Sequence, residues 1–343
     1  MQLIILLYHK TILTLSLMIK PKILVSSCLG FEASRFDGSK LDNAFVRRMR
    51  ENETFEFNIV CPEVGIGLGI PRDPLRLVMK NGDIRLIQPS TNRDLTELME
   101  EYTNKITENL VVDGFILKAD SPSVGTNNVK VYPSEEAFSG RRGGAGLFTS
   151  LIMKKFPNYP IESDRRLRNV HIQHVFLKKV YTIARFHSQV SLDSYESLKK
   201  FHSKNCFLLK SHHVEKYSML ENITDTKKKY GKGVLEEYFN CMLEILRFGS
   251  NRDGMITVFD EIFSRMSKNL PEIQVKFYKE KILLFQKNLI QESAITTLLE
   301  NLAIGLGDEF LIDQTMFNPY PLEAIKYEDP YEKRFLANSY DLD

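Results

Sequence analysis

Two cysteines of this chain stand where a thiol could do chemistry. Cys28 follows the apolar run 23–27, and Cys61 follows the apolar run 55–60. Glycines come after both cysteines, so the backbone there can approach a bulky ligand closely. A thiolate binds metals and attacks electrophiles, whereas a lone cysteine after a strand is often an inert core residue. The shared placement of both cysteines before glycine-containing loops favours the chemical interpretation.

A third polar loop follows another apolar run. The tetrapeptide DSPS at 120–123 comes shortly after residues 114–118. In an open parallel sheet, ligands bind beyond the carboxyl ends of the strands. If the apolar runs are strands of one such sheet, this loop and those that begin at Cys28 and Cys61 open at one edge. We therefore expect the three loops to lie close together despite their separation in sequence.

Strand and helix patterns alternate through the first half of the chain. Four short apolar runs have β character: 23–27, 55–60, 114–118 and 129–132. The dipeptide Asn81-Gly82 between two further apolar runs is a strong hairpin signal. Apolar residues recur at helical spacing over 95–110, and Thr91 or Asn92 can cap that helix. This alternation predicts an α/β domain with a mostly parallel sheet over 18–160.

The pattern changes after the first half. Prolines and the pair Ser163-Asp164 mark a break in the pattern. After this break, apolar residues recur at helical spacing, and there are few candidate strands. We predict an all-α domain over 161–325, followed by a tail at 326–343. The fold class is thus α/β followed by all-α.

The composition is typical of a protein with two globular domains. The chain has 343 residues, of which 43% are hydrophobic and 26% are charged, and a net charge of +2. Its four cysteines lie far apart with no Cys-x-x-Cys pair, which is unlike a secreted disulfide framework. We therefore expect a cytoplasmic protein.

The first 17 residues are mostly apolar and differ from the rest. His9 and Lys10 interrupt the apolar run, no small-residue cleavage site follows, and a transmembrane helix needs about 20 apolar residues. We expect Met18 to be the true start, residues 1–17 to be an extra N-terminus, and the protein to have no membrane partner. The alternatives are an anchor or signal and a packed extra element.

Positive charge is concentrated in one stretch of the second half. Between Lys154 and Lys232, 17 Lys and Arg stand against 7 Asp and Glu, a net charge of +10. Such a field attracts phosphates, and interleaved aromatic rings could stack on bases. We therefore predict RNA binding, with Lys227, Lys228 and Lys229 as candidate phosphate contacts. The alternative is a solvated basic face over a core that contains the aromatic rings.

Several segments of the first half resemble the thiouracil desulfurase family. They are RFDG at 35–38, VCPEVGIGLGIPRDPLRLV at 60–78, DGFILKADSPS at 113–123 and NVKVY at 128–132. The second half resembles the helical domain that is found fused to this family. The matching segments are GAGLFTSLIMKKFPNYPIESDRRL at 144–167, FHSKNCFLLKSHHVEKY at 201–217 and NPYPLEA at 318–324. The fused arrangement is similar to that of the tRNA 4-thiouridine desulfidases.

The resemblance implies iron–sulfur chemistry. Members of the family hold a [4Fe–4S] cluster by three cysteines and leave one iron open to take sulfur from a thiolated uracil, while water supplies the carbonyl oxygen. Cys28 and Cys61 match the first two ligands, and Ser121 matches a candidate catalytic or proton-handling serine. The helical domain is expected to hold tRNA. The implied function is removal of sulfur from 4-thiouridine in tRNA.

Position 124 departs from the pattern of the family. The third cysteine belongs to an SPSCG motif, which here reads SPSVG, so it maps to Val124. Cluster irons bind thiolates, and a valine side chain ligates nothing. Cys206 or Cys241 could reach in from the helical domain, or an oxygen of Asp120 or Ser123 could ligate. Otherwise the cluster is lost, and the chain is an RNA-binding protein or a thiol-based enzyme without iron.

Three further residues near the cysteines are candidates for the same site. Glu63 can act as a catalytic acid or base, or it can cap the following turn. Arg72 can hold a phosphate or a uracil oxygen, or it can form a structural ion pair. Asp37 can bind substrate, or it can form a turn with Gly38.

Overall fold

The computed structural model describes residues 19–225 and 230–325. An α/β part extends to residue 164, and a helical part begins at Val170. The predicted order of an α/β domain with a parallel sheet followed by helices is confirmed.

The central sheet contains four parallel strands: β1 (Lys22–Ser26), β2 (Glu56–Val60), β6 (Gly114–Leu117) and β9 (Ile161–Ser163). Their order is β2-β1-β6-β9. All residues of β1 after Lys22 are buried, and so is the whole of β6, as expected for strands covered on both faces. The carboxyl ends of β1, β2 and β6 therefore share one edge, as predicted from the sequence.

A second, mixed sheet lies beside the first. Its strands are β3 (Arg76–Lys80), β4 (Asp83–Gln88), β5 (Arg93–Asp94), β7 (Lys130–Tyr132) and β8 (Arg141–Arg142). They are ordered β5-β4-β3-β7-β8. The predicted hairpin is present between β3 and β4, where Asn81 and Gly82 both have positive φ, 53° and 91°.

Helices cover both faces of the central sheet. In the α/β part they are α1 (Ala44–Glu51), α2 (Pro62–Gly65), α3 (Thr96–Thr107) and α4 (Leu147–Lys155). Ile23 and Val25 of β1 join the core under α1, whereas Leu24 joins the core under α3 and α4. This alternation follows from the period of two along a strand.

The helical part begins with five long helices, α5 (Val170–Gln189), α6 (Tyr195–His212), α7 (Val214–Asp225), α8 (Lys232–Arg247) and α9 (Arg252–Ser267). They are followed by α10 (Glu272–Gln286), α11 (Glu292–Leu306) and α12 (Glu309–Ile312). A core of buried apolar residues joins α5 to the other helices. Within the described ranges, no helix combines the length and apolar character that a membrane crossing requires.

The two parts share structural elements. Strand β9 adds residues 161–163 to the central sheet, past residue 160, where the sequence-based boundary was drawn. Helix α5 packs Phe176, Leu177 and Val180 against the sheet, while Phe186 near its other end lies in the helical core. Helix α5 therefore completes the α/β core and begins the helical one.

Candidate functional site

A cavity of about 360 Å³ opens at the carboxyl edge of the central sheet. Cys28 from the loop after β1, Cys61 from the end of β2, and Ser121 and Val124 from the loop after β6 all line it. β1 and β2 are paired in parallel register with Ser26 opposite Val60, which brings the two cysteine-bearing ends to adjacent positions. The sequence-based expectation that the three loops meet is confirmed.

Glu63 is the polar centre of this cavity. Its carboxylate accepts a hydrogen bond from the Cys61 thiol at 3.4 Å and one from the Ser121 hydroxyl at 3.4 Å. The residue is buried, at 9% exposure, on the short helix α2 that follows Cys61. One carboxylate thus connects the second cysteine loop to the serine loop.

Arg72 balances the charge of that carboxylate. Its guanidinium lies 3.8 Å from Glu63 and donates a hydrogen bond to the Ser34 carbonyl at 3.0 Å. The Arg72 side chain is 8% exposed and lines the cavity. Arg72 therefore forms a buried structural ion pair, and it also faces the space where a ligand would sit.

The Ser121 hydroxyl has a fixed orientation. Its oxygen accepts hydrogen bonds from the backbone amides of Ser123 and Val124, each at 3.2 Å, and its proton is donated toward Glu63. Gly125 makes this tight turn possible, because a Cβ there would lie 2.7 Å from the Ser121 carbonyl oxygen. The loop after β6 therefore presents one oriented hydroxyl to the cavity.

Asp164 anchors the first part of the same loop. Its carboxylate accepts a hydrogen bond from the Ala119 amide at 2.7 Å and lies 3.4 Å from the Lys118 ammonium. Sequence reasoning treated Asp164 as part of an interdomain break. Its position directly after a strand of the central sheet is the signal that could have revealed this role.

Both cysteine thiols have a pKa above the ordinary thiol value. Burial, followed by the nearby Glu63 carboxylate, raises the pKa of the Cys28 thiol to about 12. The same two causes raise the pKa of the Cys61 thiol. Both a cysteine nucleophile and a metal-bound cysteine act as thiolates, so either use of these cysteines requires that this burial be offset by a bound ligand or metal.

The third ligand position of the implied cluster holds a buried hydrophobic side chain. Val124 is 4% exposed and lines the cavity with Cys28 and Cys61. Within the described residues, no group of three or more His, Cys, Asp or Glu side chains is arranged to hold a metal ion. The residues present supply two thiols and therefore do not fit a cluster bound by three thiolates.

Of the four proposed substitutes for a third cysteine, Asp120 alone lines the cavity, and its carboxylate is already ion-paired. Cys206 packs against the helical core and donates to Gln314, and Cys241 is part of that core. The expectation that either could reach the cluster is wrong, because both are fixed by helix packing. Asp120 is ion-paired with two arginines, and Ser123 is fully buried and is not among the described residues that line the cavity.

The remaining site predictions have different outcomes. Asp37 lies in a turn where its carboxylate accepts from the Ser39 amide and hydroxyl, and it pairs with Arg35 at 3.4 Å. Asp37 is not among the described residues that line the cavity. Lys227, Lys228 and Lys229 lie outside the described residues.

Phe36 is a cavity residue that sequence reasoning did not single out. It lines the cavity and is 45% exposed, with the Arg35 guanidinium 5.6 Å from its ring centroid. An exposed aromatic face at the mouth of a polar cavity can stack on a planar heterocycle. Its position in the segment RFDG, beside the residues assigned to the site, is the signal that was available.

The basic stretch of the helical part is partly neutralised in three dimensions. Five of its described lysines pair with carboxylates outside the stretch: Lys178 with Glu292, Lys204 with Asp313, Lys210 with Glu261, Lys216 with Glu244 and Lys232 with Glu236. The interleaved aromatic rings, including Phe176, Phe201 and Tyr217, are buried in the core. A sum of charges along the sequence therefore overstates the positive field at this surface.

Comparisons with known proteins assign both parts of the chain to families. Residues 23–164 match the family model described as 2-thiouracil desulfurase, and residues 207–321 match the model of the protein family of unknown function DUF1722. The first match covers every residue that we place in the cavity. The chain thus resembles the 2-thiouracil desulfurase family over its first part and the DUF1722 family over its second part.

Two individual proteins are similar to the first part. The uncharacterized protein YbbK of Bacillus subtilis (strain 168) is 28% identical over 158 residues, which span 43% of this chain and 99% of that protein. A solved structure described as the [4Fe-4S]-dependent thiouracil desulfidase TudS is 22% identical, with a TM-score of 0.36 over 43% of this chain and 94% of that chain.

Proposed function

We propose that this protein removes sulfur from thiolated uridine, specifically 4-thiouridine in tRNA. The family match supports desulfidation of a thiolated uracil. The observation that carries the proposal is the hydrogen-bonded set of Cys61, Glu63 and Ser121 in one cavity. Its polar groups are those needed to exchange a sulfur for an oxygen on a planar base.

The reaction itself is a net hydrolysis. The thiocarbonyl group and one water molecule become a carbonyl group and hydrogen sulfide, so no oxidant or reductant is consumed. Glu63 accepts one proton of the attacking water and returns it through the hydrogen-bonded Ser121 hydroxyl, which is held by two backbone amides, to the departing sulfur. The second proton of the hydrogen sulfide comes from the hydroxyl group of the hydrated intermediate as the carbonyl group forms. Phe36 stacks on the ring, and Arg72 faces its carbonyl oxygen.

A second candidate function is RNA binding without turnover. Val124 favours it, because the family resemblance implies three cysteine ligands and this chain supplies two. Loss of the third thiolate would leave the base-binding cavity in place. The two candidate functions therefore differ in whether sulfur is removed, but both imply that the protein binds the same RNA.

Turnover and metal content separate the two candidates. The full chain, purified and reconstituted with iron and sulfide without oxygen, is incubated with bulk tRNA, and loss of 4-thiouridine and bound iron are measured. Desulfidation predicts loss of 4-thiouridine by the native chain. Val124→Cys restores a thiolate at the cavity wall and is expected to raise the iron content, whereas Cys28→Ser is expected to lower it.

Val129→Cys provides the matched control. Val129 is also buried, at 2% exposure, but is not among the described residues that line the cavity. Equal iron in Val124→Cys and Val129→Cys would contradict the assignment of position 124. Desulfidation would be overturned if neither the native chain nor Val124→Cys removed 4-thiouridine from tRNA. If the inactive native chain still bound tRNA, that result would support RNA binding without turnover.

A further inference from the structure

Two arginines from separate elements converge beside the cavity. Asp120, which lines the cavity directly before Ser121, forms ion pairs with Arg142 of β8 and with Arg165, which follows β9. The Arg142 guanidinium lies 3.4 Å from the Asp120 carboxylate and also donates to the Asn128 carbonyl at 3.2 Å. We refer to Asp120, Arg142 and Arg165 as the arginine clamp.

The arginine clamp retains positive charge and free donors. One carboxylate faces two guanidinium groups, so the three side chains together carry one net positive charge. Each guanidinium has five N–H donors, and the contacts within the described residues use only some of them. The side chains of Arg142 and Arg165 are 55% and 61% exposed, so the remaining donors are accessible to a ligand.

The backbone at Asp120 fixes where the arginine clamp lies relative to the site. Asp120 has a φ of 61°, in the left-handed region, and the next residue supplies the oriented Ser121 hydroxyl. The arginine clamp is therefore held against the residue that directly precedes Ser121. Planar guanidinium groups match phosphate oxygens in a bidentate geometry.

We propose that the arginine clamp binds the phosphates of an RNA strand next to the thiolated nucleotide. This inference rests on the proposed function and specifies its substrate as a nucleotide within a strand. The base enters the cavity while its backbone stays at the rim, as in proteins that turn a base out of its stack. A free thiouracil base or a thiouridine nucleoside lacks the group that the arginine clamp recognises.

Binding measurements with three probes test the inference. The probes are a single-stranded RNA oligonucleotide with one 4-thiouridine, 4-thiouridine monophosphate, and the 4-thiouridine nucleoside. We expect the double variant Arg142→Gln, Arg165→Gln of the full chain to bind the oligonucleotide at least about 10-fold more weakly and the nucleoside unchanged. The slope of log affinity against log salt should fall by about 1.4, because each single-strand phosphate contact contributes about 0.7.

Arg85→Gln is the matched control. Arg85 on β4 is also an ion-paired arginine, with Asp94 at 2.7 Å, but is not among the described residues that line the cavity. Circular dichroism melting of each variant checks that the fold is kept. Equal loss of oligonucleotide binding by Arg85→Gln, or an unchanged salt slope in the double variant, would overturn the inference.

The outcomes distinguish this inference from the proposed function. If the native chain binds the oligonucleotide without releasing sulfur, and the double variant binds it at least about 10-fold more weakly, the arginine clamp stands while desulfidation fails. If the native chain turns over and the double variant keeps native oligonucleotide affinity, desulfidation stands and the arginine clamp fails. Binding of the monophosphate as tight as that of the oligonucleotide would overturn the requirement for a strand.

Discussion

At the scale of single residues, Glu63 joins groups that are distant in the sequence. It accepts from Cys61, two residues before it, and from Ser121, 58 residues after it. Sequence reasoning identified all three residues from their loops but left Glu63 open between a catalytic group and a turn cap. Its burial with a hydrogen bond on each oxygen favours the catalytic interpretation, because a capping carboxylate is normally solvated and bonds the backbone.

Ser121 offers a direct test of this arrangement. Ser121→Ala removes the hydroxyl between Glu63 and the backbone amides, and we expect the rate of 4-thiouridine loss to fall by about 100-fold, the lower range for a general acid or base. Oligonucleotide affinity should stay near native, because the hydroxyl acts on the reaction rather than on binding. Turnover is followed by the 4-thiouridine content of tRNA over time.

Ser218→Ala serves as the comparison for that experiment. Ser218 is exposed on α7, and its hydroxyl donates to the Glu215 carbonyl of the same helix. Its variant should retain native turnover. If Ser121→Ala is as active as Ser218→Ala, Ser121 has no part in proton transfer.

At the scale of elements, the loop after β6 depends on one close approach. A Cβ on Gly125 would lie 2.5 Å from the Val129 side chain and 2.7 Å from the Ser121 carbonyl oxygen. The second neighbour is backbone and cannot move aside without shifting Ser121. The glycine therefore sets the position of Ser121.

Gly125→Ala should for this reason reduce both stability and turnover. We expect a loss of about 1–3 kcal/mol in the free energy of unfolding, the usual cost of an overpacked site, measured by urea denaturation. Gly143→Ala is the control, since no described atom lies within 4 Å of the position of its Cβ. A Gly125→Ala protein as stable and active as Gly143→Ala would show that the loop has room to relax.

The elements differ in how far the sequence could predict them. The strands of the central sheet follow continuous apolar runs, and their common edge follows from parallel pairing, so both were predictable. Strands β5 and β8 have only two residues each, and β3 pairs with β7 far along the chain, with Leu77 opposite Val131. Such pairing leaves no local pattern, and the second sheet was therefore missed.

Helix capping gives a second example at the same scale. Thr91 and Asn92 were expected to cap the helix over 95–110, but α3 begins at Thr96 and that expectation is wrong. Thr91 instead bonds Gln88, and the Asp94 carboxylate accepts from the Thr96 amide at 3.0 Å. The short strand β5 separates the expected cap from the helix, and pairing with β4 determines that spacing.

At the scale of the whole molecule, the distribution of charge was the least predictable property. The stretch from Lys154 to Lys232 carries +10 by residue count. Lysines within it are paired with acidic residues of later helices, such as Glu244 and Glu261. These pairs form between helices, so a count along the chain could not anticipate them.

The core of the helical part should make the protein sensitive to acid. Burial lowers the pKa of His212 to about 3 and that of His202 to about 4, and Lys178 and Lys179 further disfavour a charge on His212. The unfolded chain binds these protons near the ordinary histidine pKa. The stability that the neutral rings contribute is therefore present above about pH 6.5 and is lost as pH falls toward 4.

His212→Asn tests this effect at one site. The asparagine amide can replace the ring N–H that donates to the Leu208 carbonyl at 2.9 Å, but it does not titrate. Between pH 7 and pH 5 we expect the variant to lose about 2 kcal/mol less unfolding free energy than the native chain. His171→Asn, at an exposed position, should lose as much as native. An unchanged pH dependence in His212→Asn would contradict the buried neutral state.

Helix α5 has a consequence for how this molecule meets a large ligand. Its first turns are embedded in the α/β core and its last turns in the helical core. Neither half can swing about this helix without breaking the packing of one core. The distance between the cavity and the surface of the helical half is therefore fixed. A macromolecule that contacts both must have contact groups separated by that same distance.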